Sequence, residues 1–471
     1  MKLAYIVLAF STLPVFAGSP TFHADIAPIL REHCATCHRP GEVAPFPLLT
    51  YDDAAPRAAL IASAVESRYM PPWKPEAGMG HFEGERRLSD EQIERIRAWA
   101  AAGAPEGDRS QRLAPPTFAS GWRAGEPDLA LTPAQPFDVP ADGPDIIQCF
   151  VIPLTSSEAR YVRSVEFHPG NPRVVHHALF FLDRSGEGRK FEGASGKGYS
   201  CFGGPRIRPS GSLGGWAPGA APQKLTEGMA FAIEPKSDLI LQIHYHPSGK
   251  PETDLSTIGL TFTDCPRQGL AHLVGGLRTL DLPAGDALHE IEDFIIVPAD
   301  VDLIAIAPHA HYLCRHMYVD ARLPDGRMEP LIHILNWDFN WQGEYRYAEP
   351  VHLPKGTRIT MRYVYDNSDA NPRNPSSPPK RVTFGEQTTD EMALLFLLVA
   401  LPRLEDVPAF YRAFGVDLID RLLTEGAEPV ALTRSQIAGL RMLQRKFDAN
   451  HNGVLDSDER LALLRFLKLI P

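Results

Sequence analysis

What this chain lacks narrows it first. Among its 471 residues there are only six cysteines, at 34, 37, 149, 201, 265 and 314. A disulfide-dense miniature fold is excluded, and the length suits roughly two to four domains with their own apolar cores. Positive charge is also short. The net charge of −11 argues against general binding of nucleic acid or of an anionic membrane. No apolar run reaches the roughly 20 residues that a spanning helix needs. Leu3–Phe16 falls below that length, and Leu394–Leu401 reads as a buried strand. No repeat of fixed short period is present. Proline, by contrast, is abundant at 44 residues, which favours loop-rich β domains and stiff linkers over helical bundles.

The first residues read as an export signal. Lys2 supplies the positive start, Leu3–Phe16 the short apolar run, and Ala17 ahead of Gly18 the small-residue cleavage site. Cleavage after residues 1–17 predicts a periplasmic or secreted protein with no membrane span. In that oxidising setting the four cysteines beyond the first pair predict two disulfides, with their connectivity open.

Four segments follow. Residues 18–108 carry helical patterning in Phe22–Glu32 and Asp52–Glu66. A further helix opens with Ser89 and Gln92 as a capping box, runs through Ile93, Ile96 and Trp99, and stops at Gly103 and Pro105. Residues 109–145, rich in Pro, Gly and Ala, read as a linker merging into the next domain. From 146 to 403 the pattern switches to short β-branched and aromatic runs. Among them are Tyr161–Phe167, Val174–Leu182, Leu239–Tyr245, Met317–Leu323 and Arg358–Tyr365, separated by turn signals such as Pro169-Gly170 and Asp325-Gly326. That length suits two antiparallel β-sandwiches, 146–272 and 273–403. Residues 404–471 return to helix.

Cys34-Ala35-Thr36-Cys37-His38 is the attachment pattern of a c-type haem. Two thiols three positions apart on a helical turn reach the two vinyl groups of one haem, and His38 then lies under the iron. A thioredoxin-like pair needs a βαβ context and a zinc ribbon a second Cys pair; the sequence offers neither. The second axial ligand should be a Met or a His. Met70, ahead of Pro71-Pro72, is the candidate, and Met79 is its rival. Residues 22–108 resemble small class I cytochromes c, in which a Met-Pro-Pro stretch before the last helix supplies the axial sulfur. That resemblance points to Met70 and to an α-helical cytochrome c domain.

Several of the 17 histidines fall in close pairs: His176-His177, His244-x-His246 and His309-x-His311. Imidazole is the commonest metal ligand, so repeated pairs on predicted strands are candidates. His309 and His311 share a strand face and can grip one ion. His176 and His177 can do so only at a bulge, a bend or a strand end. His244 and His246 also share a face, and spacing does not choose between them. Such sets suit copper, and zinc remains open for an all-histidine site. Near the end of the chain, Asp448 to Glu459 matches an EF-hand loop. Asp448, Asn450, Asn452 and Asp456 offer side-chain oxygens, Val454 a carbonyl and Glu459 a bidentate carboxylate, with Gly453 at the sharp turn. Calcium in a structural or docking role is expected.

Residues 146–403 resemble the core of the copper type II, ascorbate-dependent monooxygenases that hydroxylate peptidylglycine and dopamine. The resemblance runs through Val175-His176-His177-Ala178-Leu179-Phe180-Phe181, Leu241-Gln242-Ile243-His244-Tyr245, Pro308-His309-Ala310-His311-Tyr312 and Thr389-Asp390-Glu391-Met392. It implies two copper ions in two facing β-sandwiches. His176, His177 and His244 would hold the electron-transfer copper; His309, His311 and Met392 would hold the oxygen-binding copper and carry catalysis. It also implies a Cys149–Cys201 disulfide, which leaves Cys265–Cys314 as the second by elimination. Two positions depart from the peptide-hydroxylating pattern: Ala307 stands where that group has a carboxylate-binding Arg, and Phe396 where it has a Tyr. A peptide substrate is therefore disfavoured.

The expected molecule is multidomain: a helical cytochrome c domain, two β-sandwiches and a helical EF-hand tail. Its expected activity is insertion of one oxygen atom of O2 into a small organic substrate, with haem c relaying electrons from an external donor. The same ligands also suit a rival, a non-catalytic periplasmic electron-transfer or copper-holding protein.

Overall fold

Local chemistry explains the helices near the N-terminus. In this computed structural model, which describes residues 18–42, 44–118, 121–202, 204–264, 266–467 and 469–470, the expected export signal at 1–17 and Cys265 lie outside the described residues. A single π turn, Phe22–Ile26, runs into α1 (Ala27–His33). The Ala-rich stretch after it breaks at Pro56 and resumes as α2 (Ala58–Glu66). Helix α3 (Asp90–Ala101) begins at the expected box. Ser89 Oγ accepts from Gln92 N at 3.1 Å, and Gln92 Oε1 accepts from Ser89 N at 2.8 Å. It ends before Gly103, whose φ of 81° a side chain would oppose. Ile26, Leu30, Ile61, Val65, Ile96 and Trp99 form the core of this region.

The chain divides into two compact units: Met1–Trp73 with Gly84–Phe118, and Lys74–Glu83 with Ala119–Pro471. Lys74–Glu83 joins the second unit through strand-like bonds, Glu76 N to His333 O at 2.7 Å and Glu83 N to Arg346 O at 2.8 Å.

The second unit is built from β-sheet. Its strands are β1 (Ile146–Pro153), β2 (Arg160–His168), β3 (Val175–Asp183), β4 (Tyr199–Ser200), β5 (Gly211–Trp216), β6 (Met229–Ile233), β7 (Asp238–Tyr245) and β8 (Thr257–Phe262). They continue with β9 (Gln268–Gly275), β10 (His289–Ile296), β11 (Val301–His309), β12 (Cys314–Arg322), β13 (Met328–Ile334), β14 (Tyr345–Leu353), β15 (Arg358–Tyr365) and β16 (Leu394–Leu401). A five-stranded sheet has the order β4-β1-β7-β3-β5, and a four-stranded sheet β10-β15-β12-β13. Between them in sequence content runs a nine-stranded sheet. Its path is Leu129–Leu131, β8, β2, β6, β9, β16, β11, β14, with Gln223–Lys224 paired to β2. Phe150, Phe180, Leu241 and Ile243 of the five-stranded sheet share one core with Val165, Phe167, Ile258 and Leu398 of the nine-stranded one. Tyr363 and Tyr365 on β15 donate their hydroxyls to Leu394 O (2.6 Å) and Met392 O (2.7 Å), tying the four-stranded sheet to the other half of the same sheet.

The expected fold class is thereby corrected. Strand accounts for 31% and helix for 22%, and no large α-helical cytochrome domain is evident. Among the described residues the helices before residue 118 are at most 12 residues long. Nor do two self-contained sandwiches follow. The expected boundary after residue 272 falls inside β9, which pairs parallel with β6 and antiparallel with β16. The longest helical run is near the C-terminus, where Leu404–Asp406 leads into α4 (Val407–Thr424). Helices α5 (Arg434–Phe447) and α6 (Ser457–Phe466) follow it. Among the described residues no helix is long and apolar enough to cross a membrane.

Candidate functional site

The five-stranded sheet brings the first histidines together. Strand β7 lies between β1 and β3, and His244 pairs with His177. The next pair is Tyr245 with Val175, so His176 is the extra residue of a bulge. In a regular strand His176 and His177 would face opposite sides; the bulge lets both rings turn toward His244. Nδ1 of His177 lies 3.2 Å from Nδ1 of His176 and 3.3 Å from Nδ1 of His244. One ligand atom from each of the three lies within 4.8 Å of the others. Burial, with His244 adding, lowers His176 to about 4 and His177 well below the usual imidazole range. The rings of His176 and His177 are therefore neutral near pH 7, as metal ligation requires.

Asp145 stands behind this cluster. Its Oδ2 lies 3.0 Å from His244 Nε2, and its Oδ1 lies 2.7 Å from His246 Nδ1. Burial acts to raise its carboxyl, but the nearby His244 and the hydrogen-bonded His246 outweigh it and hold it at about 2. Of the pair that spacing left open, His244 joins the cluster, while His246 is 68% exposed. A carboxylate on the far nitrogen fixes a ligating ring's orientation and raises its basicity.

The second set sits where β11 meets β16. His309 ends β11 opposite Leu394, and Met392 lies two residues before that partner, 8% exposed. His309 Nδ1 donates to Gln342 Oε1 at 2.5 Å, and His311 Nδ1 donates to Asp390 O at 3.1 Å. Both bonds leave Nε2 with its lone pair. Burial, with His311 adding, brings His309 down to about 3. Burial also lowers His311, against the Asp390 carbonyl. Glu391, fully buried, accepts from His311 N, from Leu313 N at 2.9 Å and from Met392 N at 2.9 Å. Burial drives its carboxyl up to about 8 against the pull of those amides. Trp337 Nε1 donates to His311 O at 2.9 Å.

At Cys34-Ala35-Thr36-Cys37-His38 the chain turns tightly, with Cys37 N at 3.1 Å and His38 N at 2.9 Å from Cys34 O. His38 Nδ1 donates to Phe46 O at 3.0 Å, which again leaves Nε2 for a metal. Burial lowers His38, against that carbonyl, and burial with Cys37 pushes the Cys34 thiol up to about 12. Met70 is half-buried, its N bonded to Ala64 O at 3.0 Å. Met79 belongs to Lys74–Glu83 of the β unit.

The EF-hand sequence forms a closed loop between α5 and α6. Asp448 accepts from Asn452 N at 3.1 Å and Gly453 N at 2.8 Å. Glu459 folds back to accept from Ala449 N at 2.8 Å, Asn450 N at 3.3 Å and Asp456 N at 3.0 Å. Asn450 and Asn452 accept from backbone two residues on, and Asp456 caps α6. Gly453 takes φ 84°, as the sharp turn demands. The hard oxygen donors of Asp448, Asn450, Asn452, Asp456 and Glu459 thus line one short loop, a donor chemistry that suits calcium.

The Cys149–Cys201 disulfide is formed, closing residues 52 apart. The expected Cys265–Cys314 bond is corrected. Cys314 is a free, buried thiol at the start of β12, its Sγ 3.6 Å from His316 O, and Cys265 lies outside the described residues. Asp145, Gln342 and Glu391 were not singled out from sequence as supports of the ligands. Asp145 fell in the apparent linker, and no spacing rule joins Gln342 to a histidine 33 residues away.

No protein-family model matches the chain, and no curated protein matches it. Among solved structures it is similar to the major capsid protein P2 of bacteriophage PM2, at 9% identity and a TM-score of 0.21. That match covers 52% of this chain and 99% of the capsid protein, and a likeness of that size carries no argument about function.

Proposed function

We propose that the protein is an exported copper-dependent monooxygenase that hydroxylates a small organic substrate, taking electrons from an external donor through a c-type haem. The observation that carries this reading is the convergence of His176, His177 and His244 in the same compact unit as His309, His311 and Met392. Copper held there would supply one-electron chemistry toward O2, with one oxygen atom entering a substrate C–H bond and the other leaving as water, using two electrons from the external donor and two protons. The chain's own residues prepare that chemistry. His176, His177 and His244 offer Nδ1 to one ion, with Asp145 orienting His244. His309 and His311 offer Nε2, with Gln342 and Asp390 fixing their tautomers. The Met392 thioether is a soft donor that favours the reduced ion. Cys34 and Cys37 would hold haem by thioether bonds, with His38 as axial ligand and Met70 as the candidate for the other face.

The substrate side supports a small, uncharged molecule. Ala307 lies opposite Phe396 in the β11–β16 register, two pairs from His309–Leu394 and so facing the same side. Two apolar side chains thus stand where a carboxylate clamp would need a guanidinium. The Asp448–Glu459 loop would take calcium and stiffen the α5–α6 pair.

The test begins with metal analysis and an optical spectrum of the purified full-length protein, which read haem, copper and calcium together. Zinc without copper would favour the all-histidine zinc alternative. Oxygen uptake by copper-loaded, reduced protein is then screened with candidate small molecules. Uptake no greater than that of Met392→Ala would leave the non-catalytic electron-transfer reading in its place.

A further inference from the structure

Phe339 belongs to neither ligand set, yet it touches both. It opens a short 3-10 turn, Phe339–Trp341, between β13 and β14, and the Asp338 side chain caps that turn by accepting from Asn340 N at 3.0 Å. The side chain is 6% exposed. Its ring centroid lies 5.7 Å from that of His176, inclined by only 25°. On another side it lies 5.4 Å from His311, edge-on at 77°. Tyr312 closes a further side at 4.7 Å.

The same turn also aims a ligand. Gln342 donates Nε2 to Phe339 O at 2.9 Å while its Oε1 accepts from His309 Nδ1. The backbone that inserts the ring is therefore the backbone that orients His309. A structural phenylalanine usually packs among aliphatic side chains. This one has a candidate ligand ring on two sides, and it fills with apolar matter a space that water would otherwise screen.

We infer that Phe339 is the spacer that fixes the distance between the two metal centres, holding them as a coupled pair and not as independent sites across open solvent. This rests on the copper reading of the two sets. As a positioning residue, Phe339 acts through His176 and His311.

The experiment loads the full-length protein with Cu(II), counts copper per chain, and records continuous-wave and pulsed EPR spectra. For the wild type the expected result is two coppers per chain, with dipolar broadening and a half-field line that appear only as the second equivalent binds. Phe339→Ala should keep both coppers and lose the half-field line, because the spacing is no longer held. Phe339→Tyr, which keeps the ring, should retain the line and guards against reading a folding defect as a loss of spacing. The inference is overturned if the doubly loaded wild type shows no dipolar coupling, or if Phe339→Ala keeps the wild-type spectrum. Fewer than two coppers in the wild type is a separate result, which removes the copper reading itself.

Discussion

Replacing Glu391 by Ala would remove the acceptor for three backbone amides at once, those of His311, Leu313 and Met392. Glu391 is fully buried, so bulk water does not stand ready to take its place. Each buried donor left without a partner costs about 1–3 kcal/mol. A water entering the vacated polar space recovers part of that, so the net expectation is a loss of about 3–5 kcal/mol, at the upper end for one substitution. Glu391→Gln keeps the shape and one carbonyl oxygen but turns an NH2 group toward a donor, for an expected loss of about 1–3 kcal/mol. The assay is urea unfolding of the metal-free, full-length protein followed by near-UV circular dichroism. Trp337, fully buried and bonded to His311 O, contributes to that signal. Midpoints should fall in the order wild type, Gln, Ala, with the slope unchanged. Because the amides belong to the segments that carry His311 and Met392, copper affinity at that set should fall while the His176, His177 and His244 set is spared. An Ala variant within about 0.5 kcal/mol of wild type would show that the amides find other partners, and the reasoning would fail.

Three further outcomes are expected. Converting Cys149 and Cys201 to Ser opens a loop of residues 52 apart, which the chain-entropy relation puts at about 4 kcal/mol; an unchanged calorimetric unfolding temperature would refute this. Burial holds His272 down to about 4, and its Nε2 has no hydrogen-bond partner among the described residues. The unfolded chain takes up that proton first, so the stability held by the neutral ring is intact above the ordinary value of 6.5 and drains away as pH falls toward 4, by up to roughly 3 kcal/mol. His272→Leu should lose less stability than wild type between about pH 7.5 and about pH 4.5, and equal falls in the urea midpoints would sink the idea. Calcium should bind the Asp448–Glu459 loop with measurable heat and raise the unfolding temperature, and Glu459→Gln should abolish both; calorimetry without a binding heat in the wild type would count against the site.

Strand positions were the most legible part of the fold. Leu239–Tyr245 was expected as a strand and is found as Asp238–Tyr245, buried along its length, because an apolar run bounded by turn residues has few other uses. The bulge at His176 was legible as a condition, since adjacent histidines can meet one ion only if the alternation breaks. Strand neighbours were not legible. The period of two says which face a side chain takes, but nothing about which strand lies beside it. That is why a domain boundary was expected inside β9, a strand that closes one continuous sheet through β6 and β16. Cysteine parity failed for a similar reason: an even count permits a bond, whereas Cys314 is held as a buried thiol in β12.

The candidate site divides along the same line. Ligands are legible because few residue types bind metals and their spacing is constrained. The residues that aim them are not, because almost any polar side chain, from anywhere in the chain, can hold an imidazole nitrogen. Asp145 reaches His244 from what read as a linker, and Gln342 reaches His309 from the turn that carries Phe339. This asymmetry bears on how the site should be probed. Removing a ligand tests only whether metal binds. Removing Asp145, Gln342 or Phe339 leaves every ligand in place and changes the direction, basicity or spacing of the rings, so the comparison is made at saturating copper. A reading in which two metal centres act together predicts that those changes alter the coupling between the centres while metal content stays the same; independent sites would show no such separation.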